Sequence, residues 1–455
     1  MTNHASPQPH VTVVGGGLAG TEAAWQLAQR GIFTRLVEMR PATMTPAHHS
    51  GGLAELVCSN SLKSTDRDSA AGLLKGELAA LGSIVLEAAT RTRVDAGGAL
   101  AVDRAEFSAW LTRAVEAHPH IELVRGEADV LPEGHVIIAT GPLTSPSMAH
   151  VLASLVGEHM AFYDAAAPIV EAETIDRSVV FAQSRYDKGG ADYLNAPMDR
   201  EEYETFREAL VGARRVTAKE FESSDLFQAC QPIEEVARTG RDAARFGALK
   251  PVGLTDPRTG LRPWAVVQLR AENAGATAYN LVGFQTNLAF SEQERVFRMI
   301  PGLADVVFLR HGVMHRNTFV DAPRLLDPTL ALRTMPRVRL AGQLTGTEGY
   351  AEAAMSGLVA GLNTWAELVG TPRVVLPETT AFGALVAYAT NVETRPYQPM
   401  HVNFGLVPQL PERVRGKRER YAAYAARARA DLAAWLANRP DLLRLPTAEA
   451  IASDA

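Results

Sequence analysis

A glycine-rich turn near the start of this chain constrains its fold more than any other feature. The turn joins a short apolar run, Val11–Val14, to a helix-forming stretch, Ala19–Arg30. Its residues and the first helical positions are Gly15, Gly16, Gly17, Leu18, Ala19 and Gly20. At the GxGxxG spacing, Gly15 permits a tight turn, Gly17 lets the backbone approach a pyrophosphate, and Gly20 lets helix and strand pack closely. We therefore predict dinucleotide binding here; a glycine-rich turn of an ordinary α/β protein is the alternative.

Two further segments fit the same kind of fold. The run 33–39 is predicted as the next strand and carries Glu38 near its end, where dinucleotide-binding folds place an acid on the ribose. Residues 338–364 repeat the pattern of a strand, glycines and a helix of small residues, with Gly342 and Gly349 in the turn. Flavoproteins often return such a late unit to the flavin, so we expect FAD. No second GxGxxG follows a strand, which indicates that a nicotinamide nucleotide would visit transiently.

The composition indicates an ordinary globular protein. The chain has 455 residues, of which 47% are hydrophobic and 21% charged, with room for two or three domains. No apolar run is long enough to span a bilayer, and the N-terminus lacks the pattern of a signal peptide. Two cysteines in so long a chain fit a reducing compartment. We expect a cytoplasmic protein without a membrane partner.

Charge is distributed unevenly along the chain. The formal net charge of -6 excludes a globally basic nucleic-acid binder. One C-terminal segment nevertheless concentrates cations, which are Arg413, Arg415, Lys417, Arg418, Arg420, Arg427 and Arg429. Such a strip is typical of a local phosphate contact, although a solvated helix face has the same composition. Both interpretations stay open on the sequence alone.

The pattern of elements predicts an α/β fold with an insertion. We expect a discontinuous, Rossmann-like FAD-binding domain of the glutathione-reductase type, interrupted by an inserted α+β substrate domain. The inserted part has predicted strands at 178–182, 264–269 and 279–284 and a charged helix at 199–211. The expected units are 1–155 and 309–380 for the FAD-binding domain, 156–308 for the inserted domain and 381–455 for a basic helical segment.

The cysteines and one histidine segment are candidates for chemistry. Cys58 lies in a polar stretch, LVCSNSL, and Cys230 lies in FQACQP beside a proline. They form neither a CxxC pair nor a zinc spacing, so no metal site is predicted; a small buried side chain is the alternative for each. In MHRNT, His315 could stack on a planar ligand and Arg316 could pair with a carboxylate, with a polar turn as the alternative.

Five segments together resemble one known family. They are VVGGGLAGTEAAWQLA, VEMRPATMTPAHH, LAELVCSNSLKS, GVMHRNTFVDAPRLL and AGQLTGTEGYAEAAMSG. From about residue 10 to residue 410 the chain is similar to the folate- and FAD-dependent tRNA (uracil-5-)-methyltransferases. The resemblance implies C5-methylation of a T-loop uridine, uridine-54, with the T-arm of tRNA as partner. It implies 5,10-methylenetetrahydrofolate as carbon donor, FAD as reductant, NADPH or NADH to reduce it, and no obligate protein partner.

The resemblance also implies catalytic roles. Cys230 is similar in position to the cysteine proposed to attack uracil, since a thiolate adding at C6 turns C5 into a nucleophile. Cys58 resembles a second functional cysteine near the flavin, where it would handle the methylene carrier or assist proton removal. Tyr350 is a candidate for proton handling.

The resemblance also implies which residues contact the cofactors. Gly15–Gly20, Glu38 and the unit 342–349 would hold FAD, whereas His315 resembles the ring that stacks on the folate pterin, with Arg316 beside it.

Three other functions share parts of this pattern. The related family that builds carboxymethylaminomethyl groups on wobble uridines has the same glycine opening and late AGQ…GTxGYxEAA unit, but its members are longer. A small-molecule flavin oxidoreductase would lack an RNA partner, against which the basic tail argues weakly. A tRNA-binding flavoprotein without activity would bind RNA and leave it unmodified.

Overall fold

The chain folds around two six-stranded β-sheets. The computed structural model describes residues 11–45, 47–157, 160–161, 164–165, 167–187, 190, 192–216, 231–271, 276, 278–312, 314–315, 318–394, 397 and 399–442. The helices in these ranges are α1 (Leu18–Ala28), α2 (Ala70–Ala80), α3 (Ile84–Arg91), α4 (Arg104–Glu116), α5 (Pro146–Val156), α6 (Arg200–Gly212), α7 (Ile233–Thr239), α8 (Ala243–Phe246), α9 (Phe290–Phe297), α10 (Ala322–Leu325), α11 (Tyr350–Val369), α12 (Ala381–Thr390) and α13 (Lys417–Ala437).

The strands alternate with these helices in the first part of the chain and follow one another more closely in the middle. They are β1 (Val11–Val14), β2 (Thr34–Glu38), β3 (Ser61–Ser64), β4 (Arg93–Val94), β5 (Ala99–Val102), β6 (Ile121–Arg125), β7 (His135–Ile138), β8 (Met160–Ala161), β9 (Asp164–Ala165), β10 (Ile169–Glu171), β11 (Phe181–Ala182), β12 (Tyr193–Met198), β13 (Ala265–Ala271), β14 (Ala278–Leu281), β15 (Phe308–Arg310), β16 (Met314–His315), β17 (Phe319–Val320), β18 (Ala331–Leu332) and β19 (Met335–Leu340).

The first sheet is mostly parallel, with the strand order β18-β19-β7-β1-β2-β6. In register, Val13 of β1 lies opposite Leu36 of β2 on one side and Ile137 of β7 on the other. Only the edge strand β18 pairs antiparallel within this sheet as described. All four residues of β1 are buried, as expected for a parallel strand covered by helices on both faces. The predicted α/β class is confirmed.

The second sheet is antiparallel and lies in the middle of the sequence. Its strand order is β11-β12-β13-β14-β10-β15. Helices α6 and α9 cover it through an aromatic cluster in which the ring of Phe284 lies 6.2 Å from that of Phe206 and 5.3 Å from that of Phe297. These rings belong to a second hydrophobic core, separate from the core beneath the first sheet.

Most predicted elements occur within a few residues of their expected bounds, and one does not. The run 178–182 was expected to be a strand, but only Phe181–Ala182 pairs with β12. The reason is local: the Asp176 carboxylate accepts hydrogen bonds from the backbone N–H and the hydroxyl of Ser178 and closes a turn. In the predicted basic helical segment 381–455, the structure describes the apolar helix α12 and the basic helix α13.

Helices α1 and α11 pack with almost no space between their backbones. A Cβ added to Gly357 of α11 would lie 2.0 Å from the carbonyl oxygen of Ala19, and one added to Gly361 would lie 2.9 Å from that of Ala23. Glycine at these positions therefore lets the late helix dock against the first. Within the described part of the chain, each helix is too short or too polar to cross a membrane.

One buried carboxyl joins α2 to the start of α12. Glu77 is fully buried, and its carboxylate accepts the backbone N–H groups of Ala381 and Phe382 at 2.6 and 3.0 Å. Burial raises the pKa of Glu77 to about 7, in spite of the two hydrogen bonds that favour the charged form.

We predict that Glu77 makes stability depend on pH. Because its pKa is raised on folding, the stability that its protonation contributes is present below about pH 4.5 and is lost as the pH rises through about 7. Glu77→Gln removes this titration, which should change the free energy of unfolding by on the order of 2–3 kcal/mol between acid and alkaline pH. Thermal unfolding at about pH 5 and about pH 8 measures it: the wild type should lose more stability than the variant. Glu133→Gln, at an exposed site, is the control, and parallel behaviour of Glu77→Gln and wild type would contradict the assignment.

Candidate cofactor site and catalytic loop

The glycine turn has the geometry that its spacing predicts. Gly15 has a φ of +103°. A Cβ there would lie 2.6 Å from the carbonyl oxygen of Ala139, the residue that directly follows the neighbouring strand β7. A Cβ on Gly20 would lie 1.8 Å from the carbonyl oxygen of Gly15, so helix and turn touch through backbone. At Gly17, in contrast, no protein atom lies within 4 Å of an added Cβ. The turn is thus closed on its protein side and open at the second glycine of the motif.

The start of α1 is available for an anionic group. Gly17 is its N-cap residue and provides no side-chain hydrogen bond to the first turn. Unsatisfied N–H groups at a helix N-terminus attract phosphate, helped by the helix dipole. Leu18 and Ala19, the first two residues of the helix, line the adjoining cleft.

Glu38 ends β2 and faces the same cleft. Its Oε2 accepts the N–H of Gly16 at 2.7 Å, and its Oε1 accepts the N–H and the Nε–H of Arg40 at 2.9 and 2.7 Å. Burial acts to raise the pKa of Glu38, but the hydrogen bonds and charge of Arg40 outweigh it, so the pKa is lowered and the group is ionised. Oε2 keeps a lone pair for a further donor, such as a ribose hydroxyl.

A cleft of about 1000 Å³, which includes space open to solvent, joins these groups. Its walls come from the ends of three parallel strands and from the late glycine unit. Among the predicted cofactor residues, those that line it are Gly15, Gly17, Leu18, Ala19, Glu38, Gly342 and Gly349, together with Tyr350. Gly16 and Gly20 support it from behind, through Glu38 and through the packing of α1. The uncapped helix, the open position at Gly17 and the ionised Glu38 fit a dinucleotide.

The late glycine unit brings a second helix N-terminus to the cleft. Gly342 has a φ of +76° and Gly349 one of +118°, both in the region that glycine favours. A Cβ on Gly349 would also lie 2.3 Å from Oε2 of Glu352 and 2.8 Å from Nζ of Lys63. Lys63 and Glu352 form an ion pair at 2.9 Å, so glycine at 349 makes room for a bridge between α11 and the segment after Cys58.

The loop that carries Cys58 is fixed by contacts from distant parts of the chain. The hydroxyl of Tyr350 accepts the N–H groups of Cys58 and Ser59 at 2.9 and 3.0 Å. Arg104 of α4 donates to the carbonyl of Leu56 at 2.9 Å. Arg310 of β15 donates to the carbonyl of Val57, also at 2.9 Å.

A buried asparagine completes this anchoring. The Asn60 side chain donates to the carbonyls of Val102 and Ala271, and its oxygen accepts Nε–H of Arg270 at 2.8 Å. Cys58 itself is half-buried and, among the described residues, is not part of a disulfide. Its neighbour Val57 lines the cleft, so the loop meets the cleft at its edge.

Tyr350 connects the loop to the cleft and is uncharged near neutral pH. Its surroundings remove water from the phenol and raise its pKa above the usual range, and a negative charge on Cys58 raises it further. Since its oxygen already accepts two N–H groups, the phenol proton is available for donation. Tyr350 can therefore donate a hydrogen bond, whereas its raised pKa makes release of the proton less favourable.

The other predicted site residues are placed only in part. Cys230 and Arg316 lie outside the described residues. The backbone of His315 belongs to β16, opposite Asp164 of β9, and its side chain also lies outside the described part. No cluster of His, Cys, Asp or Glu in the described ranges is arranged to hold a metal ion.

Several residues of this site gave no signal in the sequence. Arg104, Arg270 and Arg310 hold the Cys58 loop but belong to ordinary helical and strand patterns. The Lys63–Glu352 pair joins positions 289 residues apart. Only Arg40 had a local clue, because it follows Glu38, the last residue of β2, by two positions.

Comparison with known proteins agrees with the fold. The family model described as glucose inhibited division protein A matches residues 10–372. A methylenetetrahydrofolate–tRNA-(uracil-5-)-methyltransferase TrmFO of Pelobacter propionicus is 56% identical over 429 residues, which are 94% of each chain. Its namesake from Geobacter sulfurreducens is 55% identical over 94% of this chain and 99% of its own.

A solved structure has the same overall fold. GidA of Aquifex aeolicus superposes with a TM-score of 0.69 at 17% identity, covering 98% of this chain and 75% of that chain. The parallel sheet, the glycine turn and the cleft thus define a Rossmann-like fold of the FAD-binding type. Within this class, the chain belongs to the methylenetetrahydrofolate–tRNA-(uracil-5-)-methyltransferase family.

We predict that two glycines of the turn fail in different ways when a methyl group is added. Gly17→Ala meets no protein atom, so the flavin-free protein should keep its unfolding temperature while bound flavin falls severalfold. Gly20→Ala forces backbone apart and should cost about 2 kcal/mol or more of stability. Thermal unfolding and flavin absorbance after gel filtration separate the two effects. Wild-type flavin content in Gly17→Ala would refute the placement of the ligand at that glycine.

We also predict that Tyr350→Phe uncouples the loop from the cleft. The change leaves the N–H groups of Cys58 and Ser59 without their acceptor, which should lower the free energy of unfolding by about 1–3 kcal/mol. Methyl transfer to tRNA should slow while flavin content stays at the wild-type level. Tyr203→Phe is the matched control, since it removes a hydroxyl that donates to the carbonyl of Arg241 in the second core. Equal rates in the two variants would show that Tyr350 has no special role.

Proposed function

We propose that this chain methylates C5 of uracil in tRNA, with 5,10-methylenetetrahydrofolate as carbon donor. The observation that carries the proposal is the position of Cys58 beside the dinucleotide cleft. Its N–H is held by Tyr350, which lines the cleft, and its neighbour Val57 lines the cleft as well. A thiol so placed can act on a substrate presented to a bound redox cofactor. Membership of the methyltransferase family supports the same reaction.

FAD is the cofactor that these residues fit. The N-terminus of α1 with Gly17 would receive its pyrophosphate, Glu38 a ribose hydroxyl, and Gly342 and Gly349 the part of the ligand near α11. When bound and reduced, FAD supplies the hydride that converts a methylene group into a methyl group. We infer that NADPH or NADH supplies the electrons. It would bind transiently, because FAD would occupy the one glycine fingerprint of the dinucleotide type in the sequence.

The residues of this chain would act on the uracil ring in a fixed order. A thiolate of Cys230 forms a bond to C6, which makes C5 nucleophilic toward the folate methylene. After C5 has bonded to the carbon, its proton leaves to a base and tetrahydrofolate is expelled from the carbon, which leaves a methylene group on C5. Addition of hydride to this methylene and elimination of the thiolate from C6 then give the methyl group and restore the ring. Cys58, held by Tyr350, assists the carbon transfer or the proton removal.

The remaining assignments extend this proposal to the substrates. We infer that uridine-54 in the T-arm of tRNA is the target, and that His315 and Arg316 contact the folate. We further propose the units 1–155, 156–308, 309–380 and 381–455, with residues 156–308 as the substrate and tRNA domain. The two separate hydrophobic cores support the distinction of 156–308 from the rest, whereas residues of 381–442 share the first core.

Methylation of a T-arm transcript is the direct test. We expect 5-methyluridine in the digested RNA when purified protein is incubated with methylenetetrahydrofolate and NADPH, and none when folate is omitted. Cys230→Ala and Cys58→Ala should each abolish the product while flavin stays bound, because the groups proposed to hold the cofactor are the glycine turns, the start of α1 and Glu38. Mass spectrometry of nucleosides and flavin absorbance provide the two readouts.

The outcomes separate the alternatives. Methylation by Cys230→Ala would refute that nucleophile. Flavin reduction by NADPH without modified uridine in the wild type would favour wobble-uridine chemistry or a small-molecule oxidoreductase. RNA binding without either reaction would indicate a tRNA-binding protein that is not an enzyme.

A further inference from the structure

The segment before α13 and its first turn carry a dense group of exposed cations. Arg413, Arg415, Lys417, Arg418 and Arg420 are all exposed. We call these five residues the basic patch. None of them forms an ion pair with any residue that the structure describes. The other two cations noted in this segment are used internally: Arg427 donates to the carbonyls of Pro408 and Gln409, and Arg429 pairs with Asp68.

Elsewhere the exposed arginines are commonly paired. Arg200 binds Glu204 at 2.9 Å on α6, and Arg295 binds Glu292 at 2.6 Å on α9. The acid within the patch, Glu419, does not serve this purpose, because its carboxylate folds back over Gly416 at the helix start. The patch is therefore a local concentration of uncompensated positive charge on a chain whose net charge is -6.

The position of these cations is unfavourable for the helix itself. Lys417, Arg418 and Arg420 occupy the first turn of α13, where the helix dipole disfavours positive charge. Gly416, the N-cap residue, makes no side-chain hydrogen bond that would compensate. Stability of α13 thus gives no reason for the patch, whereas a polyanionic partner does.

A series of contacts connects the start of α13 to the cleft. Phe404 packs against Tyr421 and stacks on Tyr424 of α13, with ring centroids 4.8 and 5.4 Å apart. Four residues earlier, Met400 exchanges backbone hydrogen bonds with Gly346 and Glu348 of the late glycine unit, at 2.9 Å each. That unit continues directly into the cleft-lining residues 349 and 350.

A further cation lies along this route. A Cβ added to Gly349 would lie 2.8 Å from Nζ of Lys63, so Lys63 lies beside the late glycine unit to which Met400 is hydrogen-bonded. Its side chain is 42% exposed, although it pairs with Glu352. A polyanion that touches the patch would therefore continue past Lys63 toward the Cys58 loop.

We propose that the basic patch binds the phosphate backbone of tRNA and thereby holds the target uridine at the cleft. This inference rests on the proposed function. Five cations within eight residues match the regular negative charge of an RNA strand, and such contacts position the nucleic acid without reading its sequence. The interface deepens the proposed reaction by naming where its RNA substrate docks.

The test compares Arg418→Gln/Arg420→Gln with the charge-matched control Arg93→Gln/Arg113→Gln, whose arginines are exposed on β4 and α4. For the patch variant we expect the Kd for tRNA at about 0.15 M salt to rise roughly tenfold or more, and the slope of log K against log salt to fall by about 1.5–2. The KM for tRNA should rise while kcat at saturating tRNA and flavin content stay unchanged. The control should match the wild type in every respect.

Each outcome bears on one of the two proposals. If the wild type methylates and binds tRNA, and the patch variant binds it with unchanged Kd and salt slope, the interface is refuted and the reaction stands. A fall in kcat with unchanged KM would also overturn it, because it would place the arginines in the chemistry. If the wild type neither binds nor methylates tRNA, the proposed function fails before the patch is tested.

Discussion

The close backbone contact of α1 with the glycine turn and with α11 is the constraint on which the rest of the structure depends. Gly20 lets the helix touch Gly15, and Gly357 lets the late helix touch Ala19. Two helices that are more than 300 residues apart thereby begin at the same cleft. Their N-terminal dipoles converge on one region, which favours a bound diphosphate more than either helix would alone.

Local patterns in the sequence were sufficient for the half of the site built on the parallel sheet. A turn that needs glycine at fixed spacing, and an acid at the end of the next strand, are both short-range requirements of the fold. Gly349 shows where this reasoning stops. Its pattern indicated a cofactor turn, yet the structure adds a second requirement, because the Lys63–Glu352 pair occupies the space of a side chain.

The half of the site around Cys58 could not be predicted in the same way. Tyr350 lies 292 residues from Cys58, Arg310 lies 253 from Val57, and Arg270 lies 210 from Asn60. Contacts over such separations leave no periodicity in the sequence; the polar stretch around Cys58 and the resemblance to a family marked the segment, but not the residues that hold it. The strand expected at 178–182 failed for the opposite reason, since a purely local turn at Asp176 overrode its apolar pattern.

The anchoring of the Cys58 loop has a consequence for the position of its thiol. Arg104 and Tyr350 hold it from the first core, whereas Arg270 and Arg310 reach it from strands of the second sheet. A rotation of one sheet against the other would therefore have to stretch or break some of these hydrogen bonds. The position of the thiol at the cleft thus depends on both hydrophobic cores, although only the first core belongs to the parallel sheet.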